Sequence, residues 1–122
     1  MSHPASGRRI LIVEDNADNR DSLCLLFQIW GFCVAVAANG REGFEKALAW
    51  KPAVAVLDIG LPVLDGNQVA RRLRDALGDD IVLIALTAYS QDRDMSAAVA
   101  AGFDHFMTKP ADLDRLHQWL DE

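Results

Sequence analysis

Five short runs of apolar residues constrain this chain more than any other feature: ILIV at 10–13, CVAVA at 33–37, AVAVL at 53–57, IVLIAL at 81–86 and the shorter HFMT at 105–108. A strand with one face in water alternates apolar and polar residues. Runs that are apolar on both faces are covered from both sides, the condition of a mostly parallel sheet between helices. The segments between them have helical period. Leu23, Leu26, Phe27 and Trp30 form one stripe, with Asp18 as the expected cap and Gly31 as the stop. Phe44, Ala47 and Leu48 form a second, introduced by Asn39-Gly40 and stopped by Pro52. Val69, Leu73 and Leu77 precede the stop signal Gly78, an alanine-rich segment runs over 90–101 to Gly102, and Leu113, Leu116 and Leu120 complete the set. The expectation is an α/β fold, doubly wound, with five helices around a five-stranded parallel sheet. Crossovers in such sheets are right-handed, and the common order for five strands is 2-1-3-4-5.

Size and charge narrow the functions. A chain of 122 residues, 51% apolar and 25% charged, fits one domain with a real core, expected over residues 9–122 after a flexible lead-in or linker remnant at 1–8. The net charge of -6, with no basic block longer than two residues, argues against direct binding of nucleic acid or an anionic membrane. Arg71, Arg72 and Arg74 read as a solvated helix face. No run approaches the roughly 20 apolar residues of a membrane span, and the first nine residues lack a signal-peptide core, so the chain reads as cytoplasmic. Cys24 and Cys33 read as buried small hydrophobes. His3, His105 and His117 are not placed as metal ligands or phosphodonors, and Trp30, Trp50 and Trp119 read as packing residues.

The polar residues that end the strands carry the chemistry, because ligands in this architecture bind at the strands' carboxyl ends near the point where strand order reverses. Strand one runs into Glu14-Asp15, strand three into Asp58, strand four ends in Thr87, and strand five is followed by Lys109-Pro110, whereas strand two ends in plain Ala37-Ala38. Order 2-1-3-4-5 puts strands one and three about 4.8 Å apart, so Glu14, Asp15 and Asp58 should converge. Each like-charged pair at about 4 Å costs on the order of 4 kcal/mol at an effective dielectric near 20. Such a set calls for a cation, and oxygen-only ligands at an open rim suit Mg2+. Thr87 on the adjacent strand reaches Asp58, and Lys109 has the length to reach from two strands away. Singly, each of these residues has a bland reading as a cap, a turn former or a solvated side chain; their joint placement does not. Asp58 is then a carboxylate nucleophile that accepts a phosphoryl group, with Lys109 and Thr87 neutralising its oxygens.

The pieces LIVEDN (11–16), VLDIGLPVLDG (56–66), ALTAYS (85–90) and FMTKP (106–110) resemble the receiver domain of response regulators in two-component signalling, over about residues 8–122. The fold this implies is flavodoxin-like. The resemblance further implies that Asp58 is phosphorylated from a phosphohistidine on a sensor histidine kinase or histidine phosphotransfer protein. Asp15 and Asp58 would bind Mg2+ directly, with Glu14 acting through water and the Gly60 carbonyl as a further ligand. Thr87 and Phe106 would be a switch pair, and the fourth helix, fifth strand and fifth helix an output face for a downstream protein or a second copy. Such a domain is a signalling phosphoacceptor that catalyses only its own phosphorylation and slow dephosphorylation. The Lys109-Pro110 peptide is expected to be cis.

Departures are visible too. Phe106 lacks the hydroxyl of the frequent tyrosine, Ala111 stands where an aromatic often follows, and Gly60 and Tyr89 flank the path of an attacking water. A haloacid-dehalogenase-like phosphohydrolase would want an acid at Gly60 and a cap domain. A flavodoxin-type phosphate loop would not be acidic at Glu14-Asp15-Asn16. A phosphorylation-independent docking or dimerisation module is the third alternative. The chain reads as a stand-alone regulator or a receiver of a hybrid kinase or larger regulator, with DIGLP (58–62) favouring the hybrid type.

Overall fold

The computed structural model describes residues 7–61, 63–88 and 92–121. Its strands are β1 (Arg9–Val13), β2 (Cys33–Ala37), β3 (Val54–Leu57), β4 (Val82–Thr87) and β5 (His105–Thr108), all parallel in the order β2-β1-β3-β4-β5. The helices are α1 (Ala17–Ile29), α2 (Gly40–Trp50), α3 (Gly66–Leu77), α4 (Asp92–Ala101) and α5 (Leu113–Leu120). Successive residues of one strand point to opposite faces, and the core divides accordingly. Leu11, Val13, Ala55, Leu57, Leu83 and Ala85 pack with α2, α3 and α4, whereas Ile10, Ile12, Val54, Val56, Ile84 and Leu86 pack with Phe27 of α1 and with Leu116 and Leu120 of α5. Hence the central strands are apolar without alternation. The edge strand β2 is only partly covered.

Helix starts are set by side-chain caps. Asn39 caps α2, Asp65 and Gln68 form a reciprocal capping box on α3, and Asp112 caps α5. At α1 the expected cap is corrected: Asn16, not Asp18, accepts from the Asn19 N–H at 3.0 Å. Asp18 sits inside the first turn, where its charge meets the positive end of the helix dipole. The start of the segment expected at 90–101, with Tyr89, lies outside the described residues, as does the lead-in at 1–6.

Two further expectations are corrected. Cys33 is exposed on the edge strand and Cys24 half-buried; burial, with Asp21 second, pushes the Cys24 thiol pKa up, away from the reactive thiolate. Arg71 and Arg72 are exposed, but Arg74 is a tie across the fold, its side chain only 20% exposed. Its guanidinium donates to the Gly78, Ile81 and Gly102 carbonyls and to Asp104 Oδ2, which also accepts from the Leu83 N–H. A lysine has the charge but not the planar fork. Arg74→Lys is therefore expected to lower unfolding free energy by about 1.5 kcal/mol, the scale of one hydrogen bond to a charged group, measured by urea denaturation.

The tryptophans pack as read, Trp50 beneath the Arg9 guanidinium and the other two against histidine rings. His117 stacks on Trp30 with centroids 3.9 Å apart, and His105 on Trp119 at 4.4 Å. Among the described residues no helix is long and apolar enough to cross a membrane.

Candidate functional site

The register explains why the acids meet. Val13 of β1 lies beside Leu57 of β3, so the residues that follow, Glu14 and Asp58, leave the sheet side by side. The Asp58 N–H continues the ladder to the Val13 carbonyl at 3.1 Å, and the Glu14 N–H reaches Ala37 on the other side at 3.1 Å. Glu14 is buried, Asp58 half-buried and Asp15 exposed, and each offers a carboxylate oxygen within 4.8 Å of the others.

Each group is held in place. Glu14 Oε1 accepts from Lys109 Nζ at 2.8 Å, Glu14 Oε2 from the Asn16 N–H at 3.2 Å, and the Glu14 carbonyl from the Arg20 guanidinium at 3.1 Å. Asp58 Oδ1 accepts from the Gly60 N–H at 3.0 Å and Asp58 Oδ2 from Lys109 Nζ at 3.3 Å. Burial pulls the Lys109 pKa down, but the hydrogen bond to Glu14 and the charges of Asp58 and Glu14 outweigh it and hold the ammonium above its ordinary 10.5. Thr87 is fully buried at the end of β4, and its carbonyl accepts from the Lys109 N–H at 2.7 Å, which fixes the base of the lysine against the neighbouring strand. The Lys109-Pro110 peptide is cis.

The structure thus brings Glu14, Asp15, Asp58 and Lys109 into one cluster, with Thr87 and Gly60 at its border. Phe106 lies apart, on the α4 side of β5, where with Met95, Val99, Phe103, His105 and Trp119 it lines a groove of about 260 Å3. Ala111 packs against the core on the α1 and α5 side, and α5 is docked by Leu116 and Leu120 without an aromatic there. The donor set fits a hard divalent cation: three carboxylates against one ammonium, all oxygen, with Asp15 open to water.

Two contributors escape a reading of strand ends. Arg20 bonds the Glu14 carbonyl from six residues on, and only its helical phase hinted at this. Gly66 leaves the space beside the Asp58 backbone that a Cβ would fill, visible in sequence only as the small half of Asp65-Gly66.

The response regulator receiver domain model matches residues 10–121. The response regulator MprA of Mycolicibacterium vanbaalenii is 37% identical over 108 residues, 88% of this chain but 46% of that protein, so the chain spans about half the length of this relative. Among solved structures, the CheY-like response regulator receiver domain protein of Methanospirillum hungatei superposes with a TM-score of 0.87 at 28% identity, covering 95% of each chain. The receiver domain of a Pseudomonas aeruginosa sensor histidine kinase, described with a magnesium ion coordinated in its active site cleft, superposes with a TM-score of 0.85 at 29% identity, covering 94% of this chain and 95% of that one. With the strand order, the acidic cluster and the matched span agreeing, the chain belongs to the response regulator receiver domain family of two-component signalling.

Proposed function

We propose that Asp58 is the phosphoacceptor of this receiver domain and takes its phosphoryl group from a phosphohistidine on a sensor histidine kinase or histidine phosphotransfer protein. The observation that carries the reading is the meeting of Asp58 with Glu14, Asp15 and Lys109 at the strand ends. In the reaction an Asp58 carboxylate oxygen attacks phosphorus, a P–O bond forms, and the P–N bond to the imidazole breaks. The Gly60 N–H holds Oδ1 and so orients the carboxylate. Lys109, already 3.3 Å from Asp58 Oδ2, turns its ammonium to a phosphoryl oxygen, and the Thr87 hydroxyl serves another. Asp15, Asp58 and the Gly60 carbonyl would hold Mg2+, with Glu14 acting through water. When bound, the ion supplies positive charge to the carboxylates and the transferring phosphoryl group. The magnesium described in the similar Pseudomonas domain supports this assignment.

Phosphorylation adds about 1.5 to 2 negative charges at the rim. Thr87 and Phe106 form the switch: the hydroxyl moves toward the phosphoryl group, and the ring follows into the space left. The readout is the α4-β5-α5 face, where Met95 and Val99 are exposed beside Trp119. A downstream protein, or a second copy, binds there. The domain would run over 9–122 after a lead-in at 1–8, act in the cytoplasm where phosphohistidine donors are made, and perform no chemistry beyond its own phosphorylation and slow dephosphorylation.

Intact mass after incubation with acetyl phosphate tests the reading. The expected result is a single phosphoryl adduct on the wild type that depends on Mg2+ and is absent from Asp58→Asn. A wild type without adduct, or an adduct that survives the substitution, would overturn it.

A further inference from the structure

We infer that Arg20 is a positioning residue for the divalent cation site, acting through the backbone of Glu14 without touching the ion; this rests on the Mg2+ reading of the acidic cluster. After Val13 the chain leaves the sheet and turns into α1 within three residues, and that turn contains Glu14 and Asp15. The side chain of Glu14 is committed, one oxygen to Lys109 and the other to the Asn16 N–H, and its own N–H is committed to Ala37. The remaining freedom is rotation of the peptide that joins Glu14 to Asp15. That peptide decides where the exposed Asp15 carboxylate points. Arg20 donates from its guanidinium to the carbonyl of this peptide at 3.1 Å, and its own backbone N–H is fixed to the Asn16 carbonyl at 2.9 Å in the first turn of α1. The first turn of the helix thus reaches back and pins the turn that precedes it.

Two opposed effects of the guanidinium make the idea testable by sign. As a positive charge near three carboxylates it repels a cation, so its removal on electrostatic grounds alone would tighten Mg2+ binding. As a positioning group it holds Asp15 in place, so its removal would weaken binding; loss of groups that orient metal ligands typically costs 10–100-fold in affinity. Mg2+ itself is the probe, titrated calorimetrically into wild type, Arg20→Met and Arg20→Gln, alongside melting temperatures in EDTA. The expected result is roughly tenfold weaker Mg2+ binding by Arg20→Met, with the same sign in Arg20→Gln, which carries the test should the methionine variant fail to fold. Unchanged or tighter binding in the folded variants, or a change confined to the melting temperature in EDTA, would overturn the inference. Failure of the wild type to bind Mg2+ would instead overturn the metal reading on which it rests.

Discussion

Lys109→Met is expected to slow phosphoryl uptake from acetyl phosphate by about a hundredfold, the scale of losing one preorganised donor to developing charge, and to destabilise the Mg2+-free protein. Methionine keeps the apolar stem and removes the ammonium, which lies 2.8 Å from Glu14 Oε1 and 3.3 Å from Asp58 Oδ2. Breaking a fully buried pair costs about 3–5 kcal/mol because a charge is left uncompensated. Glu14 is only 4% exposed but Lys109 is 26% exposed, so water recovers part of that. The expected loss is about 2 kcal/mol. Its pH dependence identifies the cause. The Lys109 pKa is raised on folding, so its contribution is present in full below the ordinary 10.5 and is lost as pH climbs through the folded value. Wild type should therefore lose stability on the alkaline side where the variant does not. Urea denaturation in EDTA at neutral and strongly alkaline pH measures both; a gap of equal size at the two would assign the loss to packing instead of charge. Added Mg2+ should restore part of the variant's stability, because a cation that binds only the folded cluster replaces the missing charge.

The strand order and the site could be read from sequence for one reason. In a doubly wound sheet, the hydrophobic runs say which segments are central, and topology then says which strand ends are neighbours. Glu14, Asp58 and Lys109 follow from the topology alone, independently of their contacts. What was not legible depends on bonds that no local pattern encodes. Arg74 follows a helical face shared with Arg71, but it reaches the Gly102 carbonyl across 28 residues of sequence, and nothing in its own segment distinguishes it. Cys33 sits in an apolar run, yet its strand is the edge of the sheet, so the run does not imply burial. Asp18 and Asn16 are both acceptable caps by residue type; which one caps is set by how tightly the chain turns after Glu14, a consequence of the site itself.

Gly66→Ala is the second substitution with a large expected effect, because it acts on the backbone that carries Asp58. A Cβ there would lie 2.5 Å from the Asp58 carbonyl oxygen and 2.7 Å from Ile59 Cα, and the obstacle is main chain that cannot rotate away. Gly66 also donates its N–H to the Ile59 carbonyl at 2.8 Å, so the first turn of α3 is seated on the chain that directly follows Asp58. Either α3 lifts or Asp58 moves. Overpacking of this kind costs about 1–3 kcal/mol, and a displacement near 1 Å at a reacting group costs up to about a hundredfold in rate. Gly40→Ala provides the contrast, since its Cβ would meet the Leu64 carbonyl oxygen at 1.9 Å, at the far end of the same loop. Both variants should melt earlier, but only Gly66→Ala should slow phosphoryl uptake per folded molecule by tenfold or more. Equal slowing in both would mean that α2 as well as α3 sets the position of Asp58. A full rate in Gly66→Ala would mean that α3 yields and that the bond of the Asp58 N–H to Val13 holds the residue in place without it.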